Sequence, residues 1–110
     1  MEWIELNSKE QVDAIASDVS NQLHLIFKHS TRCSISSMAL SRLESAWANN
    51  SIKPYFLDLL VHRDVSDYIA EKFSVWHESP QAILIKNGEC LLDSSHIGID
   101  YNEIVEVAEI

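Results

Sequence analysis

The 110-residue chain holds only two cysteines, two glycines and two prolines, and 17 acidic side chains outnumber its 8 lysines and arginines. Two cysteines, Cys33 and Cys90, are too few for a disulfide framework and suit a reducing compartment. A formal charge of −9 argues against nucleic acid and anionic membranes as partners, because their phosphates would be repelled. No apolar run approaches the roughly 20 residues needed to cross a bilayer. The opening Met1-Glu2-Trp3-Ile4-Glu5 lacks the basic start and apolar core of a secretory leader, which predicts a cytoplasmic protein. Metal-ligand spacing is missing too. His24, His29, His62, His77 and His96 form no His-x-x-x-His pair, and they read as scattered surface histidines, with no metal expected.

What is present is a regular alternation of strand and helix patterns without repeat, low-complexity stretch or linker, so residues 1–110 read as one domain. Trp3 to Leu6 suggests a short first strand. Ser8 and Gln11 then make a capping box before Val12, Ile15, Ala16 and Val19 at helical spacing. An apolar strand follows at 23–27. After it, Ile35, Met38, Ala39, Leu43, Ala46 and Trp47 give a helix stripe ending near Asn49-Asn50. Residues 54–60 read as a mostly buried strand, and Asp64 is placed to cap a helix with Val65, Ile69 and Phe73 facing inward. Two further strands flank Asn87-Gly88, the strongest short hairpin signal, and Asp100 with Glu103 starts a last helix. The order β-α-β-α-β-α-β-β-α predicts an α/β fold: a mixed sheet with parallel βαβ units, a C-terminal antiparallel hairpin, and helices on both faces.

Cys33 lies in Arg32-Cys33-Ser34-Ile35-Ser36, between the second strand and the second helix. A helix start offers unpaired amides and partial positive charge, and both favour thiolate over thiol. Ser36 stands where a two-cysteine redox motif carries its second cysteine, so the chain can attack a disulfide but cannot resolve the product alone. Cys90, inside an apolar strand, reads as structural and unlinked to Cys33.

This layout resembles the thioredoxin fold, through the Cys-x-x-Ser turn and through Ser79-Pro80-Gln81 ahead of the fourth strand. In thioredoxins that proline is cis and lies against the active-site sulfur. The resemblance implies that the Ser79 backbone pairs with an extended disulfide substrate. Phe27, six residues before Cys33, occupies the place where many thioredoxins hold a buried acid that serves their second cysteine. Arg63-Asp64-Val65-Ser66, His77-Glu78-Ser79-Pro80-Gln81 and Ser95-His96 further resemble the monothiol bacilliredoxin family over nearly the whole chain. That family's site commonly reads Cys-Pro-Ile-Ser; here Ser34 replaces the proline, which frees one more amide.

The resemblance implies a monothiol thiol-disulfide oxidoreductase that removes bacillithiol, or a similar low-molecular-weight thiol such as glutathione or coenzyme A, from client proteins. Cys33 would be the nucleophile and Ser36 its hydrogen-bond donor or simply a first-turn helix residue. Arg32, Ser34, Ser79, Pro80 and His77 would form the substrate surface, with His77 and His96 either lining the site or bonding their own turns. The partners would be S-thiolated proteins and a thiol co-substrate, with no resident cofactor. The alternative is a binding or redox-sensing module without turnover.

Overall fold

The apolar stretches become five strands of one sheet in the computed structural model, which describes residues 1–48 and 51–109. The helix end expected at Asn49-Asn50 lies outside those residues. Strands β1 (Ile4–Glu5), β2 (Leu23–His29), β3 (Ile52–Asp58), β4 (Gln81–Lys86) and β5 (Glu89–Ser95) lie side by side in the order β1-β3-β2-β4-β5. β3 is parallel to β1 and β2; β4 is antiparallel to β2 and β5. Helices α1 (Lys9–Ser17), α2 (Ser34–Ala46) and α3 (Arg63–Lys72) alternate with the strands, and a 3-10 turn at His96–Gly98 leads into α4 (Tyr101–Ala108). This is the mixed α/β sheet that the element order predicts.

The pleat sends successive side chains of each strand to opposite faces, and each face meets two helices. Ile26, Leu57, Ile83 and Ile85 pack with Val12 and Ile15 of α1 and with Val65 and Ile69 of α3. Leu25, Phe27, Ala82 and Leu84 pack with Ala39 and Leu43 of α2 and with Ile104 of α4. Each fully buried side chain of this size contributes about 1.5–3 kcal/mol. Helices of nine and eight residues, such as α1 and α4, are marginal alone and depend on that packing.

Ser8 and Gln11 close the capping box on α1, and Asp100 accepts the Asn102 amide at the start of α4. Asn87 and Gly88 take φ of 52° and 78° in the β4–β5 turn. A Cβ on Gly88 would stand 2.6 Å from the Ala16 carbonyl oxygen, so packing as well as φ demands glycine there.

Four readings are corrected. α1 stops at Ser17, which leaves Val19 exposed. α2 turns Ser36, Ala39 and Leu43 inward, whereas Ile35, Met38 and Ala46 face solvent. The cap of α3 is His62, with Asp64 inside its first turn. His24 and His29 are not surface histidines: central strand β2 buries them to 3% and 5% exposure.

His24 is held between Asp18 (Nε2–Oδ2 2.8 Å) and the Tyr55 hydroxyl (3.1 Å). Hydrogen bonds from Ser20 first, then from His24, lower the Asp18 pKa from 3.8 to about 2. Its stabilising effect is therefore complete above the unfolded value and fades as pH falls through about 2. In urea unfolding, the stability difference between the protein and Asp18→Asn is expected to shrink steadily between pH 4 and about 2. A difference that stays constant over that range would remove this role.

Candidate functional site

Three loops meet at one edge of the sheet because the strand register puts them there. Lys28, near the end of β2, lies opposite Gln81 at the start of β4, and Gln81 lies opposite Ser95 at the end of β5. The Cys33 turn, the 76–80 segment and the His96–Gly98 turn therefore share an edge. The His96 amide donates to the Pro80 carbonyl at 3.0 Å, which ties the last two together. The Ser79–Pro80 peptide bond is cis, and Pro80 is buried.

Cys33 is the N-cap of α2 in extended backbone conformation, half-buried and free. Its amide donates to the Ser30 carbonyl and its own carbonyl accepts from Ser37, both at 3.1 Å. The amides of Ser34, Ile35 and Ser36 have no intrahelical acceptor by helix geometry. No hydrogen bond reaches the Cys33 sulfur among the described residues. Arg32 and Ser34 flank it, both exposed.

Ser36 is placed differently from its neighbours. It is fully buried, and its hydroxyl accepts the Ser30 amide (3.0 Å) and lies 2.7 Å from His29 Nδ1. That hydroxyl is committed beneath the turn rather than to Cys33. Burial lowers the His29 pKa and favours the neutral imidazole, which packs against Phe27 and Phe56. The group pins the end of β2 to the first turn of α2 and so shapes the loop that carries the thiol.

On the opposite face of β2, Lys28 is wholly buried. Its Nζ donates to the Ser66 carbonyl (3.1 Å) and lies 3.3 Å from His77 Nδ1, which is also 3.2 Å from the Ser66 hydroxyl. Burial pulls the Lys28 pKa down from 10.5 to about 8, against the opposing pull of Asp67 and Asp93. Burial, then the Lys28 charge, lowers that of His77. Gln81 ties the same segment from below: its amide nitrogen donates to the Trp76 carbonyl and to Asp93, and its oxygen accepts the Glu78 amide. The Ser79 hydroxyl is shielded from solvent and has no hydrogen-bond partner among the described residues.

The residues singled out in the sequence thus form two groups at one edge, Arg32 to Ser36 on the turn and His77, Ser79 and Pro80 on the loop. His96 lies at the same edge, exposed, 3.3 Å from Glu78. Cys90 sits by the hairpin turn at the other end of the sheet, its thiol pKa pushed up by burial. Sequence reasoning missed Lys28, His29 and Ser66. The available signal was Lys28-His29-Ser30, three polar residues in a row where the apolar run of β2 ends.

Residues 4–104 match the model of the family described as Monothiol bacilliredoxin BrxC. Among solved structures, a protein described as having a thioredoxin fold and assigned to the oxidoreductases without proof of activity is 34% identical over 97% of this chain and 93% of its own, with a TM-score of 0.81. Thioredoxin from Trypanosoma brucei brucei is 19% identical over 98% of this chain and 88% of its own, TM-score 0.72. Thioredoxin from Malassezia sympodialis is 16% identical over 98% and 89%, TM-score 0.71. The two thioredoxins establish the fold alone.

Two outcomes follow from the two clusters. A lysine whose pKa is about 8 folded and 10.5 unfolded costs the fold on the order of 3 kcal/mol while protonated, and this cost fades as pH rises between those values. The stability gap between Lys28→Met and the parent, from urea unfolding, is expected to narrow over that interval; a gap independent of pH would contradict it. Ser36→Ala leaves the buried Ser30 amide unpaired and is expected to cost about 1–3 kcal/mol in the same assay, against under about 0.5 kcal/mol for a surface helix position.

Proposed function

The chain belongs to the monothiol bacilliredoxin family, whose fold is that of the thioredoxin-like oxidoreductases, and from that premise we propose that it removes a small thiol, bacillithiol or a close analogue, from mixed disulfides on client proteins. The observation that carries this reading is Cys33 at the N-cap of α2 with Ser36 one turn on, its hydroxyl engaged with His29 and Ser30.

The Cys33 thiolate attacks the sulfur of the small thiol along the S–S axis. A new S–S bond forms to Cys33, the client–thiol bond breaks, and the client leaves as thiolate and takes a proton from solvent. Cys33 then carries the small thiol. Ser36 has no sulfur with which to displace it, so a second molecule of thiol completes the cycle and leaves as a symmetrical disulfide. The helix-start amides at 34–36 supply donors for the negative sulfur in both half-reactions. Ser79 offers its backbone to the extended substrate, and Arg32, exposed beside the nucleophile, meets the carboxylates of the small thiol in this reading.

The test uses a client protein carrying one bacillithiol mixed disulfide, with the masses of both proteins followed in time. Transfer of a single bacillithiol adduct to Cys33, with release of the client thiol and turnover on adding free bacillithiol, is expected; Cys33→Ser should abolish all of it and Cys90→Ala none. No adduct on Cys33, or an adduct that added bacillithiol fails to remove, would assign the chain to binding or sensing instead.

A further inference from the structure

Lys28 has no role in the exchange chemistry above, yet it is buried at this edge of the sheet. Its ammonium is wholly buried, and no carboxylate lies within ion-pair distance of it among the described residues. An ammonium can only donate hydrogen bonds. Opposite it, His77 Nδ1 must therefore present its lone pair, and the proton of a neutral His77 must sit on Nε2. The Ser66 hydroxyl, 3.2 Å from the same nitrogen, serves as a second donor to it. Nε2 has no protein partner among the described residues, and His77 is exposed two residues before Ser79. A donor bound to a buried cation polarises the ring and makes the outward N–H a stronger donor, most of all to an anion.

We propose that Lys28 is a positioning residue that holds His77 in its Nε2–H form, and that this N–H receives a carboxylate of the small thiol carried on Cys33. The idea rests on the reading that Cys33 takes up such a thiol, and it adds the feature by which the thiol is selected. Both the charge of Lys28 and that of Arg63 act on His77, with Asp67 and Glu78 acting in the opposite sense. The Ser79 hydroxyl, on the same loop, is a further polar group there without a partner among the described residues.

Two readouts decide it, both in a Cys90→Ala background so that Cys33 is the sole thiol. The first is the nitrogen-15 NMR spectrum of His77. A bare Nδ1 and a protonated Nε2 are expected, with a mixture of tautomers appearing in Lys28→Met; a protonated Nδ1 in the parent protein would overturn the proposal. The second is the equilibrium between Cys33 mixed disulfides of glutathione and of its diethyl ester, in which the carboxylates are masked. The parent is expected to favour the free carboxylates about tenfold more than either Lys28→Met or His77→Ala does.

A merely structural Lys28 would change stability and leave that preference intact, which would sink the idea. So would a loss confined to only one of the two variants. Adduct formation needs only an accessible thiol, so this result stands apart from whether a thiolated client is turned over.

Discussion

Strand β2 is paired along its length by β3 on one side and β4 on the other, and both of its faces are covered by helices. The pleat then dictates that its last residues diverge: Lys28 must enter the face of α1 and α3, and His29 the face of α2 and α4. Two supports of the candidate site follow from that divergence. His29, with Ser30, holds Ser36 and thereby the start of α2; Lys28 holds Ser66 and His77 and thereby the loop that leads to Pro80. One strand end thus sets the relative position of the thiol turn and of the loop across from it.

Both polar groups are buried in surroundings that disfavour charge, and they answer that cost differently. His29 favours the neutral form and keeps one short hydrogen bond, which costs less than burying an ion because Ser36 replaces water at that ring nitrogen. Lys28 with a pKa of about 8 remains mostly protonated at neutral pH, so the fold retains an ammonium that is hydrogen-bonded to a carbonyl and an imidazole nitrogen, with Asp67 and Asp93 acting on it from farther away. A methionine of similar length would fill the same space without that cost. Phe27, the residue before the pair, is apolar and fully buried on the same face as His29, consistent with residue 36 being a hydroxyl that needs no deprotonation.

The framework was legible in the sequence because local rules and tertiary packing agree there. The Ser8–Gln11 box, the Asn87-Gly88 turn and the alternation of strand with helix each specify their own neighbourhood. The cysteine turn was legible for the same reason: a strand, a short loop and a helix stripe bracket it. Disagreement begins where burial is decided by distant elements. Ile35 and Met38 belong to an apolar stripe by spacing, yet α2 is rotated so that the small polar Ser36 goes inward, because its hydroxyl meets the Ser30 amide and His29 there. Lys28 and His29 look like the polar fringe of an apolar run, and only the pairing of β2 with both neighbours shows that the run continues through them. His77 could be named as a site residue from its motif, but its partners lie on β2 and α3, 49 and 11 residues away.

The unpartnered Ser79 hydroxyl bears on the same question of what this edge is built to do. A buried donor without an acceptor costs about 1–3 kcal/mol, and folded proteins hold few of them. Here it shares a five-residue segment with an imidazole whose inner nitrogen is fully engaged and whose outer nitrogen is not. Gln81, one residue beyond Pro80, is by contrast saturated, with Trp76, Glu78 and Asp93 as partners. The segment is therefore rigidly tied on its inner side and unsatisfied between those ties. That asymmetry is what a surface needs if it is to order a polar ligand with little rearrangement of its own, since the cost of holding the donors in place has already been met in folding.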